Sequence, residues 1–296
     1  MGRHRKLFEG IIQFLIRACG YSAVLFVAAI FLFLLQSGIP ALGEVPLSSL
    51  LGARWYPITN LFGILPLVAG SIVVTIGAML LSIPFGVATA VFIAEIAPRW
   101  MRELLKPFVE ILAGLPSVVL GFLGFLVLAP FLRTALNLDT GLTALTGSIL
   151  LAAMALPTIV SVAEDALDAV PKSYRDGALA LGATKWQTIW RVTLPAARSG
   201  VLTAVMLGLG RALGETMAVM MVPGNAAQIR WDAFFYPVRT MTATVAAEMG
   251  EVAAGSTHYH VLFLVAILLF LISFLVNVAA SSMLFRAKKR AERMLS

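Results

Sequence analysis

Six long apolar stretches, near residues 14–36, 67–94, 107–131, 143–163, 199–222 and 258–285, constrain this chain more than any other feature. A hydrocarbon core about 30 Å thick is crossed by a helix of about 20 predominantly apolar residues, and each stretch qualifies. Within a bilayer every backbone N–H and C=O must be satisfied by the segment itself, which leaves helices or a closed barrel. The period-two alternation of a barrel strand is absent. The expected fold class is therefore all-α, a polytopic membrane protein with six transmembrane helices. Composition agrees: 60% of the 296 residues are hydrophobic and 12% charged, where a soluble domain carries about a quarter charged.

The expected organisation is an N-terminal tail, first helix and external segment over 1–66, a transmembrane core over 67–285, and a basic cytoplasmic tail over 286–296. The first apolar stretch follows Arg3, Arg5 and Lys6 and exceeds the 7–15 residues of a signal-peptide core, so it reads as a retained helix. Cys19 is the sole cysteine, which excludes an intramolecular disulfide.

Orientation follows from the cations. Of 22 Lys and Arg residues, 17 fall in the N-terminal tail, the 95–106 loop, the 164–200 loop and the C-terminal tail. The alternate loops hold only Arg54, Arg133, Arg230 and Arg239. The positive-inside rule then puts both termini in the cytoplasm of a cell whose inner membrane houses the chain. The pI near 9.9 is explained by lipid head groups and insertion, without nucleic acid.

Ser37–Pro66, with Trp55 and Tyr56, reads as an external segment at the interface. Pro84, Pro116 and Pro157 fall inside apolar stretches two to four, where proline removes a backbone donor and bends a helix. Ser117 and Gly121 form a small-xxx-small pair suited to close helix packing. His258 and His260 lack a third ligand at metal-binding spacing, so no metal site is expected.

The 164–198 loop is punctuated. Ser173 with Asp176 suggests an N-cap, Gly182 a C-cap, Thr184 with Gln187 a second capping pattern, and Pro195 an end. This predicts two short helices joined at Gly182-Ala183. The spacing Asp176-Gly177-Ala178, Gly182, then Val192, Leu194 and Pro195 resembles the EAA loop of bacterial ABC importer permeases, with the match running through Ala183, Thr184, Lys185 and Trp186. Asp176, Gly177 and Val192 depart from Glu, Ala and Ile, and glycine at 177 costs a helix about 1 kcal/mol relative to alanine. The resemblance implies that this loop docks on a separate ATPase. The chain has no Gly-Lys pair and so no Walker A loop, which points to a transport subunit rather than an enzyme.

Within the fifth stretch, GLGRALGETMAV at 208–219 places Arg211 close to the midplane, the costliest depth for a charge, where such residues usually face a cavity. Glu215, four residues on, shares its face and reaches the guanidinium, while Gly210 and Gly214 form a second small-xxx-small face for a neighbouring helix. The bland reading is a buried intrahelical ion pair. The functional one is an oxyanion site, since a guanidinium fork matches tetrahedral oxyanions, and a carboxylate accepts from protonated phosphate but repels sulfate.

This motif, followed by Pro223-Gly224-Asn225, resembles the PstC-type subunit of bacterial phosphate ABC importers, a MetI-like permease. Trp55 with Pro57, the Gly63–Pro66 turn and Leu115–Val119 carry the same resemblance. It implies that Arg211 and Glu215 lie on the substrate path. It also implies a PstA-type second permease subunit, two PstB-type ATPase subunits that bind ATP and Mg, and an external phosphate-binding protein, with no cofactor in this chain. A molybdate- or sulfate-type permease and the PstA-type sister subunit stand as alternatives.

Overall fold

The computed structural model describes residues 2–230 and 232–295, and the side chains of residues 2–11, 280 and 283–295 are outside that description. Arg3, Arg5, Lys6 and the cations after Phe285, used above, fall outside the described side chains.

Helix α1 (Gly2–Gly38) leads into two single-turn helices, α2 (Ala41–Glu44) and α3 (Leu47–Leu50). A hairpin follows, β1 (Trp55–Tyr56) against β2 (Leu61–Phe62), with Trp55 opposite Phe62. Its turn closes through Asn60, whose φ of 56° is one that asparagine tolerates. Trp55 and Phe62 are buried with Val45, Leu50, Met241 and Leu262, so the external segment is packed onto the protein.

Helix α4 (Leu65–Val91) carries Pro84 in its interior and runs into a π-helical turn at Phe92–Ile96. Then come α5 (Arg99–Gly114), α6 (Ser117–Leu123), a second π turn at Gly124–Leu128, and α7 (Ala129–Ala135). Helix α8 (Ala144–Asp168) is capped by Thr143, whose side chain accepts from the Thr146 N–H. The 164–198 segment supplies α9 (Lys172–Ala180), α10 (Lys185–Thr188), a third π turn at Ile189–Thr193 and α11 (Leu194–Ala196). After these, α12 (Arg198–Gly214), α13 (Met217–Met221), α14 (Met241–Glu248) and α15 (Thr257–Leu295) complete the chain.

Among the described residues, five helical stretches are long and apolar enough to cross a membrane: Ile12–Glu44, Leu65–Ile96, Ser117–Ala135, Ala144–Asp168 and Thr257–Ala279. A sixth combines Lys185–Ala196 with Arg198–Gly214 across a 71° bend. The all-α, multi-pass reading stands, with two corrections. The third stretch is not one helix over 107–131. Leu115 and Pro116 both take extended backbone, with ψ of 132° and 135°, because proline drives its predecessor out of the α region. The fifth is not continuous over 199–222, since Glu215 is extended with φ −68° and ψ 131°.

The central core gathers Val74 and Ala78 of α4, Leu151, Ala155 and Ile159 of α8, Ala212 of α12 and Val219 of α13. A glycine sets the approach of α12 to α8: a Cβ on Gly208 would lie 2.5 Å from Ile159. Helix α1 packs against α15, where Phe31 stacks on Phe270 at 4.8 Å.

Candidate functional site

The two helix breaks meet. Arg211, one turn before the end of α12, donates from Nη1 to the Thr158 hydroxyl of α8 at 3.1 Å, and from Nη2 to the Ala113 carbonyl at the end of α5 at 3.4 Å. By helix rise, Thr158 lies about 21 Å from Ala144 and about 15 Å from Asp168, near the middle of α8. The guanidinium therefore sits near mid-length of α8, where two interrupted spans meet one continuous one. This is the arrangement by which discontinuous helices build midplane binding sites.

Arg211 and Glu215 do not pair, which corrects the expectation of a shared helical face. Once the backbone turns extended after Gly214, Glu215 leaves the α12 spiral, and its Oε1 accepts from the Ala218 N–H at 3.1 Å. Its carboxylate caps the positive end of α13. The carbonyls freed by the break are also satisfied. Thr216 Oγ1 donates to Gly214 O at 3.2 Å, and Thr242 Oγ1, at the start of α14, donates to Glu215 O at 3.0 Å.

The expected small-residue faces divide. A Cβ on Gly121 would lie 3.1 Å from Ala218 Cα, so α6 does pack closely on α13 there, with Ser117 half-buried one turn earlier. At Gly210 and Gly214 an added Cβ would meet nothing within 4 Å. These two do not pack a neighbour within the chain, and the close approach on α12 is made by Gly208 instead.

The 164–198 segment folds as α9 and a second helical run from α10 through α11, with one cap revised. Pro171, not Ser173, is the N-cap of α9, and no side chain caps it. At the other end Gly182 has φ of 82°, its N–H bonds Leu179 O at 3.0 Å and the Ala183 N–H bonds Ala178 O at 3.1 Å. This double closure is the Schellman motif. Thr184 and Gln187 form a reciprocal capping box on α10. Pro195 does not end the segment but lies inside α11, just after the π turn that its missing N–H favours. Ile189, Leu194 and Ala197 pack with Ala90, Leu167 and Ala204, whereas Asp176, Gly177 and Leu181 are exposed and Ala178 is half-buried.

Sequence reasoning missed three polar clusters. Arg175 of α9 binds Glu95 in the π turn that follows α4, with Nη2 to Oε1 at 2.6 Å and Nε to Oε1 at 3.0 Å. Glu164 of α8 is buried between Arg102 Nη2 and Lys106 Nζ of α5, each at 2.8 Å, and Arg102 also meets Asp168. Glu248 receives Arg239 Nη2 at 2.5 Å, His258 Nε2 at 2.8 Å and Trp55 Nε1 at 3.1 Å. For Glu95 and Glu164 the available signal was an acidic residue at the end of an apolar stretch, which calls for a partner; the partner's position was not legible. Among the described residues no three His, Cys, Asp or Glu side chains are placed to hold a metal ion.

Residues 82–289 match the family described as binding-protein-dependent transport system inner membrane component. The chain belongs to this family. Among relatives, the permease is 39% identical to the probable ABC transporter permease protein YqgH of Bacillus subtilis, over 92% of this chain and 90% of that protein. It is 34% identical to the phosphate transport system permease protein PstC of Mesorhizobium japonicum, over 97% and 93%. Its fold is similar to that of the MetNI methionine ABC transporter, at TM-score 0.58 and 20% identity over 79% of this chain and 99% of that one. A bacterial alginate ABC transporter gives TM-score 0.59 at 16% identity, over 95% and 99%. The permease is thus a multi-pass membrane subunit of an ABC importer with the MetI-like fold.

Proposed function

We propose that this permease is the PstC-type subunit of a phosphate importer and moves inorganic phosphate by alternating access. A PstA-type subunit completes the pathway, two ATPase subunits that bind ATP and Mg supply energy through the 164–198 loop, and an external binding protein delivers the anion. The carrying observation is Arg211, a guanidinium held near mid-length of α8 by a hydroxyl and a carbonyl and, among the described residues, by no counter-ion. An arginine so placed keeps its charge and its planar fork for a passing oxyanion. The PstC relatives support phosphate as that anion. Glu215, occupied at the α13 end, does not neutralise Arg211 in this state. Released from Ala218, it would accept from the hydroxyl of protonated phosphate, a donor that sulfate lacks.

Labelled phosphate uptake by proteoliposomes holding the whole complex tests this, with ATP hydrolysis recorded in parallel and sulfate and molybdate as competitors. Uptake is expected to collapse in Arg211→Leu and to lose its phosphate preference in Glu215→Gln, with complex assembly intact. Undiminished uptake in both variants would move the anion site to the partner subunit. Both termini are proposed to be cytoplasmic: reporter fusions after Arg133 and Ser256 should lie outside and one after Lys185 inside.

A further inference from the structure

Helix α9 has no buried residue, and among the described residues every side-chain hydrogen bond from it to another element runs through Arg175. That one guanidinium reaches two spanning helices. Toward α4 it grips Glu95, with Nε to Oε1 at 3.0 Å and Nη2 to Oε1 at 2.6 Å. Toward α8 it takes the terminal carbonyls, with Nη2 to Leu167 O at 2.8 Å and Nη1 to Val170 O at 2.7 Å. Arg175 is 20% and Glu95 10% exposed. Forked, charge-assisted bonds of this kind fix orientation as well as distance, and a cation at the carbonyl end of α8 complements its dipole.

Ten residues before Asp168, α8 also carries Thr158, the hydroxyl that holds Arg211. The route from the exposed helix α9 to the Arg211 guanidinium is therefore the C-terminal part of α8, with polar contacts at Thr158 and at its last carbonyls. We propose that the Glu95–Arg175 clasp is the joint through which ATP-driven movement of α9 is passed to α4 and α8. This rests on the reading of the chain as an ATP-driven permease and assigns both residues as positioning residues for coupling. Neither is placed to touch substrate or nucleotide.

The test uses the complete complex with Glu95→Gln or Arg175→Gln, and reads phosphate taken up per ATP hydrolysed. Hydrolysis is expected to persist while that ratio falls at least tenfold. An unchanged ratio overturns the proposal, whether uptake is intact or both activities decline together as a merely structural defect would cause. A second readout is independent of the transported anion. In a Cys19→Ser background, Gly210→Cys places a thiol beside Arg211 where its Cβ meets nothing within 4 Å, and its maleimide labelling rate is compared with and without ATP plus vanadate. ATP should change that rate with Glu95 present and leave it unchanged in Glu95→Gln; an equal response in both overturns the joint. A parent complex that responds to ATP but imports no phosphate would sink the phosphate reading, and the labelling comparison would still decide the joint.

Discussion

Trp55 Nε1 donates to Glu248 Oε1 at 3.1 Å across 193 residues of chain. The carboxylate it reaches also holds Arg239 and His258, so one acidic side chain ties together the β-hairpin, the lead into α14, α14 itself and the first turn of α15. Glu248 and Arg239 are 15% and 19% exposed, and removing one member of such a pair leaves the other charge poorly solvated. Glu248→Ala should therefore destabilise the protein by about 3 kcal/mol. Trp55→Phe keeps the packing against Phe62 and loses one hydrogen bond, about 1 kcal/mol. Thermal unfolding of the detergent-purified complex would rank the two, and equal midpoints would contradict the shared-carboxylate picture.

Glu164 is 2% exposed while its partners Arg102 and Lys106 are 33% and 42% exposed. The cations reach water when the carboxylate is gone, so Glu164→Gln should cost about 2–3 kcal/mol, below the loss for a fully enclosed pair. Chemical unfolding of the purified protein checks this. A larger effect than that of Glu248→Ala would mean the cations are less hydrated than their exposure implies.

Two glycines of the 164–198 segment should respond in opposite directions to alanine. Gly182 closes α9 in the left-handed region, where a Cβ costs about 1–2 kcal/mol. Gly177 lies in the helix with open space around it, so alanine there should stabilise by about 0.5–1 kcal/mol. Melting temperatures of the two variants read the signs directly.

Thr158→Val removes the hydroxyl that receives Arg211 while keeping the side chain's shape. A hydrogen bond to a charged group contributes about 1.5–3 kcal/mol, and loss of the lower amount in transport corresponds to about a tenfold fall in uptake. Thr158→Ser should retain most activity. Equal loss in both would point to packing at this position and away from the hydroxyl.

The spans were legible because apolar length is a one-dimensional property, and Gly182 and Thr184 were legible because caps are local. The breaks were less so. Pro116 did carry a signal, since it restricts Leu115, yet proline alone does not separate a bend from a full interruption; Pro84 and Pro157 stay inside their helices. The interruption at Glu215 has no proline at all. Its freed carbonyl is satisfied by Thr242, 27 residues later, and nothing in GLGRALGETMAV encodes that partner. The same limit hid the clasp on Arg175, whose acid lies 80 residues earlier.

The pairing of α1 with α15 has a consequence for biosynthesis. The ring that stacks on Phe31 is Phe270, so α1 leaves the ribosome long before the helix it packs against. At about 5–20 residues per second, α1 waits in the lipid for roughly 10–50 s before that face can close. During this interval its hydrophobicity alone must hold it there, and its phenylalanines are open to whatever other helix drifts past.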